Sequence, residues 1–216
     1  MPSAARFESA MRELGVNNEH TVIAYDRLGL FSAARVWWMF RYFGHKRVAV
    51  LDGGLPAWLK SGGDVFSGNA KSVSGSFTAK SQRSELLVSA EEVAKASASS
   101  GGPRILDARG AGRFRGESPE PRPGLRAGHI PGSHSLPYTS LLNKDGTYKS
   151  PDDIRALLKQ QGVSEDSAVI TSCGSGITAC VLSLGLSMVG YPEAALFDGS
   201  WTEWGSREEF PVATGD

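Results

Sequence analysis

Apolar residues cluster along this chain in two recurring forms. One is a short, strand-like run: Val22-Ile23-Ala24, Val50-Leu51, Ile105-Leu106 and Val169-Ile170-Thr171. Such runs, bounded by polar or turn residues, predict buried strands. The other is a longer apolar segment, Ala33 to Phe43 and again Thr178 to Val189, each followed at once by Gly44 or Gly190. These predict helices with a glycine where the helix must stop. Ser150-Pro151-Asp152-Asp153-Ile154 opens a further helix, with Ser150 as cap and Pro151 at the first helical position. Met1 to Glu13 has an amphipathic helical pattern and lacks the charged-then-apolar layout of a secretory signal. Strand, crossover helix and strand in succession predict an α/β fold with a parallel sheet flanked by helices.

The pattern occurs twice. Gly44, Asp52 and Trp58 recur in constant register as Gly190, Asp198 and Trp204, and Asp26 falls one residue out of that register at the place of Cys173. Landmarks kept in step over so long a separation imply two homologous tandem domains. The second copy has more chain ahead of it, including the strand at Arg104 to Ala108 and the turn-rich Gly128-His129-Ile130-Pro131-Gly132. Too few residues precede Val22 for the same parts, so the first domain is expected to be partial. The expected division is a partial domain over 1–67, a linker over 68–84 rich in Ser, Gly and Lys, and a complete domain over 85–216. Ser97 to Gly102 is expected to be a surface loop.

Composition narrows the function classes. Apolar residues are 40% and charged residues 21% of the 216, as in ordinary globular proteins. The formal net charge of zero gives no reason to expect nucleic acid or an anionic membrane as partner. No apolar run is long enough to span a bilayer. With two cysteines in the chain, Cys173 and Cys180, free thiols in a reducing compartment are the expectation, which points to the cytoplasm. A longer upstream segment directing the chain to mitochondria is the alternative.

The candidate chemistry lies at Cys173-Gly174-Ser175-Gly176-Ile177-Thr178, between a predicted strand and a predicted helix. A turn of this kind points successive backbone N–H groups inward, and the helix adds the positive end of its dipole. Both favour an anion at the loop centre, and therefore the nucleophilic thiolate of Cys173. Gly174 and Gly176 clear the approach for a substrate. Ser175 and Thr178 offer hydroxyls to the same space. The plain alternative is an inert buried thiol beside a tight turn. Asp26 in the first copy argues against it, because a nucleophile need occur only once.

These features resemble the two-domain rhodanese superfamily. The resemblance rests on the Cys173 loop, Asp107-Ala108-Arg109, Arg113-Phe114-Arg115-Gly116, Pro119-Glu120-Pro121-Arg122, Gly128 to Gly132, and Asp198-Gly199-Ser200-Trp201-Thr202-Glu203-Trp204. It covers the second domain throughout and the first from its middle onward. Within the superfamily the chain is similar to the 3-mercaptopyruvate sulfurtransferases, since neutral Gly174 and Ser175 follow the cysteine where thiosulfate sulfurtransferases carry basic residues. The resemblance implies that Arg113 and Arg122 hold the substrate carboxylate and ketone, in keeping with the bidentate fit of guanidinium to carboxylate. Spacing alone selects no pair among Arg109, Arg113, Arg115, Arg122 and Arg126. The implied catalytic residues are Cys173 and Ser175, with Gly174, Gly176, Ile177 and Thr178 lining the substrate. The implied reaction moves sulfur through a Cys173 persulfide to thioredoxin, glutathione or cyanide, with no metal or organic cofactor.

Competing readings are thiosulfate as donor, and a sulfur carrier with weakened turnover. The second arises because the family's acidic residue and histidine from the first half of domain one have no counterpart here. A cysteine phosphatase would need an arginine six residues after the cysteine, where this chain has Ala179. His129 is expected to shape a turn, Cys180 to fill core, and Asp198 and Trp201 to pack near the site. The aromatics from Trp37 to Phe43 are expected in the core and at a domain interface.

Overall fold

The computed structural model describes residues 1–68, 73–80 and 82–216. They divide into two compact units, Met1–Ser84 with Asp145–Thr147, and Glu85–Lys144 with Tyr148–Asp216.

The first unit runs α1 (Ala4–Glu13), β1 (Val22–Ala24), α2 (Ala33–Tyr42), β2 (Val48–Val50) and α3 (Gly54–Lys60). Strand β1 pairs with β2 in parallel, from Val22 opposite Val48 to Ala24 opposite Val50. That register places the second strand two residues earlier than the apolar run around Val50-Leu51 suggested. The core is aromatic. Phe7 of α1 stacks on Phe43 at 4.5 Å and meets Phe40 edge-on at 5.1 Å. Phe77 closes the same cluster and is fully buried.

Phe77 also corrects the linker expectation. Residues 73–80 lie along the first unit: Gly75 N–H donates to Arg12 O, Phe77 N–H to Val16 O, and Lys80 N–H to Phe43 O. The buried Phe77 ring, which removes a large apolar surface from water, and these backbone bonds together anchor the stretch. Asn69 to Ser72 and Ser81, also within the expected linker, lie outside the described residues.

The second unit is a five-stranded sheet, wholly parallel. Its strands are β3 (Leu87–Val88), β4 (Arg104–Asp107), β5 (His134–Ser135), β6 (Val169–Ser172) and β7 (Ala195–Phe197), in the order β3-β7-β6-β4-β5. Its helices are α4 (Ala90–Ser97), α5 (Ala111–Arg115), α6 (Pro151–Gln160), α7 (Ala179–Met188) and α8 (Ser200–Trp204). Alternation along the strands sends Ile105, Ile170 and Phe197 into one core with Ala90 and Val93 of α4 and Trp201 and Trp204 of α8. On the opposite face Thr171 meets Ser183 of α7, hydroxyl to hydroxyl at 3.0 Å. Helix α7 is buried along all of Ala179–Leu186, so its apolar character on every side suits a central position. Ser150 caps α6 and Pro151 stands at its start, as the sequence suggested.

The chain leaves β4 toward β5 on one side and β6 toward β7 on the other. The carboxyl ends of these adjacent strands therefore flank a crevice of the kind where parallel α/β sheets bind ligands. Cys173 follows β6 directly, and Arg109 follows β4 by two residues.

Candidate active site

The loop from Cys173 to Thr178 turns out of β6 into α7. Its shape is held from behind by the start of α8. Ser200 is the only non-glycine described residue with a left-handed backbone, φ +50, a conformation that costs about 1–3 kcal/mol. Its buried hydroxyl accepts N–H groups from Cys173 and Gly176, each at 3.1 Å, and donates to Phe197 O at 2.8 Å. It also stands 3.9 Å from the Cys173 sulfur. Trp201 N–H donates to Cys173 O at 2.9 Å, and Thr202 N–H to Gly174 O at 3.0 Å. These bonds fix the backbone on both sides of the sulfur.

Two glycines stand where room is short, and at Gly176 both space and backbone require one. A Cβ on Gly176, which has φ +73, would lie 2.7 Å from Asp198 O. A Cβ on Gly174 would lie 3.1 Å from Nη2 of Arg113. The bare backbone at 174 leaves that guanidinium room beside the loop.

Among the described residues, the backbone N–H groups of Gly174, Ser175, Ile177 and Thr178 take no hydrogen-bond partner in the chain, and neither does the Ser175 hydroxyl. A run of unpaired donors opening a helix is a cradle for a negative charge. Cys173 itself is 1% exposed, so a charge on its sulfur depends on such donors. Cys180 is a buried free thiol whose S–H donates to Gly176 O, which makes it part of the loop's support.

The five arginines that spacing could not separate have distinct surroundings. Arg109 is buried, paired with Asp107 at 2.7 Å and Glu120 at 2.9 Å, donating to Gly128 O and lying 4.3 Å over the Trp201 ring. Arg126 donates to the carbonyls of Trp204, Gly205, Arg207 and Phe210, tying down the chain after α8. Arg115 pairs with Glu117 near the surface. Arg113 and Arg122 stand at the loop. Glu120 grips Arg113 through two bonds, Nη2 to Oε2 at 2.6 Å and Nε to Oε1 at 3.1 Å. Arg122 donates to the Thr202 hydroxyl at 2.8 Å, and that hydroxyl donates to Gly174 O at 2.6 Å. His129 is buried, stacked on Phe114 at 3.8 Å and bonded to Phe114 O. It is a structural residue of the turn.

Ser200, Glu120 and Thr202 had no role in the sequence reading, although each lay in a quoted motif. A left-handed serine leaves no mark in residue letters. Glu120 carried one faint signal, an acid seven residues after one arginine and two before another.

Comparison with known proteins places this geometry in a family. The rhodanese-like domain model matches residues 2–61 and 89–207. The 3-mercaptopyruvate sulfurtransferase of Escherichia coli K12 is 43% identical over 98% of this chain and 74% of its own length. A thiosulfate sulfurtransferase of Cricetulus griseus is 41% identical over 94% of this chain and 69% of its own. Among solved structures, SseA from Escherichia coli, described as a 3-mercaptopyruvate sulfotransferase with the "rhodanese" fold, aligns with a TM-score of 0.82. It is 41% identical over 93% of this chain and 74% of that one. On the strength of these matches, the chain belongs to the rhodanese family.

Proposed function

We propose that this chain is a sulfurtransferase that takes sulfur from 3-mercaptopyruvate onto Cys173 and passes it to a thiol or to cyanide. The observation that carries the reading is Arg113 set against side-chain-free Gly174, one residue from the only cysteine on the loop. A basic residue at 174, suited to a sulfonate donor, would crowd the end of this guanidinium, which lies 3.1 Å from where its Cβ would stand. A carboxylate donor needs a forked cation beside the sulfur, and Arg113 and Arg122 supply two.

The reaction follows from that arrangement. The Cys173 thiolate attacks the thiol sulfur of 3-mercaptopyruvate. A sulfur–sulfur bond forms, the carbon–sulfur bond breaks, and its electron pair leaves as the pyruvate enolate, which takes a proton to give pyruvate. Arg113 and Arg122 offset the charge on the carboxylate and on the enolate oxygen as it develops. The persulfide left on Cys173 has an outer sulfur that ionises readily, and the N–H groups of Gly174, Ser175, Ile177 and Thr178 receive that anion. Ser175, next on the loop, brings a hydroxyl able to pass a proton. Cyanide then removes the outer sulfur as thiocyanate, with the Cys173 thiolate as leaving group; a thiol of thioredoxin or glutathione takes it instead by becoming a persulfide as the same thiolate leaves. Among the described residues no helix is long and apolar enough to cross a membrane. Two free thiols suit the reducing cytoplasm.

The test is to offer 3-mercaptopyruvate and thiosulfate separately and to weigh the intact protein. One added sulfur with 3-mercaptopyruvate, absent in Cys173→Ser, is the expected result. Sulfur retained in that variant refutes the assignment of Cys173. Faster loading from thiosulfate transfers the chain to that donor. Loading without pyruvate release on repeated turnover makes it a sulfur carrier.

A further inference from the structure

The two loop-facing arginines are held by unlike means. Arg113 is gripped by the buried carboxylate of Glu120, which offsets much of its charge. Arg122 is exposed and, among the described residues, pairs with no carboxylate; its one bond within the chain is to the Thr202 hydroxyl. The sense of each bond in that contact is fixed by chemistry. A carbonyl only accepts, so the single hydroxyl proton of Thr202 goes to Gly174 O at 2.6 Å. A guanidinium only donates, so Arg122 gives its N–H to the oxygen lone pairs of Thr202 at 2.8 Å. The Thr202 N–H donates to the same Gly174 carbonyl at 3.0 Å. A neutral hydroxyl therefore ties a fully charged side chain to the backbone one residue from the sulfur.

We propose that Thr202 is a positioning residue that holds Arg122 against the sulfur-carrying loop and so sets where the substrate carboxylate lies relative to Cys173. This rests on the sulfurtransferase reading. An untethered arginine sweeps many rotamers, and ordering it must then be met from substrate binding. The hydroxyl removes that cost in advance while leaving the charge of Arg122 undiminished. Its influence falls on binding of the carboxylate donor and leaves the attack of an acceptor on the persulfide untouched.

The experiment compares Thr202→Val, which keeps the shape and the backbone bond but loses the hydroxyl, with Thr202→Ser, which keeps both bonds. For Thr202→Val the expected result is KM for 3-mercaptopyruvate raised about tenfold, the worth of one bond to a charged group, with kcat little changed. Thr202→Ser stays close to the parent. Discharge of a preformed Cys173 persulfide by cyanide proceeds at the parent rate in both. A second readout needs no turnover: phenylglyoxal modification of Arg122, followed by peptide mass, speeds up in Thr202→Val and not in Thr202→Ser. Equal KM and equal labelling across the three proteins overturn the proposal, as does an equal fall in kcat for both variants. If the parent protein fails to use 3-mercaptopyruvate, the 3-mercaptopyruvate reading falls on its own, and the labelling rates alone decide whether Thr202 tethers Arg122.

Discussion

The loop at Asp26 in the first unit and the loop at Cys173 in the second occupy the same place in the repeated strand, turn and helix, and they treat their backbone donors in opposite ways. Asp26 turns its carboxylate onto the loop. Its Oδ2 accepts from the N–H groups of Phe31, Ser32 and Ala33 at 2.8–2.9 Å, and its Oδ1 from Leu28 at 2.8 Å. The donors at the start of α2 are thus permanently satisfied by an anion belonging to the chain. At Cys173 the equivalent donors on Gly174, Ser175, Ile177 and Thr178 are left open, and the side chain ahead of them is a short thiol. One frame makes a structural cap and the other a receptacle for a transferable anion. The difference lies in whether the first loop residue brings its own negative oxygens.

Cys173→Asp tests the comparison most severely, since it gives the second loop the first loop's solution. The expected outcome is complete loss of sulfur loading by intact mass, with the fold retained by circular dichroism. Any persulfide on that variant would show that the cradle is not the site. Next in size is Gly174→Arg, which crowds the Arg113 guanidinium, 3.1 Å from the new Cβ, and sets a second positive charge beside it. Losing a charge-assisted fork is worth about 2–3 kcal/mol, so KM for 3-mercaptopyruvate should rise by roughly a hundredfold. Thiosulfate use should be spared or improved, and an equal loss on both donors would refute the role given to Gly174. Ser200→Ala comes third. It leaves the Cys173 and Gly176 N–H groups without their acceptor and keeps the left-handed strain, so stability should fall by about 2 kcal/mol and kcat about tenfold. Urea denaturation and steady-state rates measure the two separately. Unchanged kcat would make Ser200 a packing residue only.

Much of this was legible in the residues because it follows from local rules. The repeat, the parallel α/β sheet, the helix stops at Gly44 and Gly190 and the cap at Ser150 all depend on periodicity and turn chemistry. Both glycines do take left-handed φ, +77 and +81. What escaped depends on distance in space. The reading of 68–84 as a linker followed its composition, but Phe77 finds a pocket made by Phe7 and Phe40 far from it in sequence. Five arginines within a short stretch are equivalent as letters. They separate only when Asp107 with Glu120 claims Arg109, Glu117 claims Arg115 and the carbonyls after α8 claim Arg126, which leaves Arg113 and Arg122 at the loop. Ser200 and Thr202 act through a backbone angle and a hydroxyl bridge, neither of which has a sequence pattern.

The smallest effect, and the one that sharpens the comparison from the silent side, concerns Asp26 and acid. Burial raises the pKa of this carboxyl, but the four backbone donors together more than reverse that, and the net value lies below the ordinary aspartate range. A group depressed on folding lends stability that is fully present above its unfolded pKa, about 4, and is lost as pH falls through the lower folded value. Asp26→Asn keeps one carbonyl oxygen for the donors but turns an amide N–H2 toward the other side of the loop. At neutral pH the cost should be about 1–2 kcal/mol, and activity of folded protein should not change. The difference in urea midpoint between the parent and Asp26→Asn should hold steady from pH 7 to about pH 5, then narrow as the solution is acidified below about pH 4. Other carboxylates titrate in both proteins and drop out of the difference. A gap that stays constant down to pH 3 would mean that the charge of Asp26 is not what satisfies its loop, and the contrast with Cys173 would reduce to one of shape.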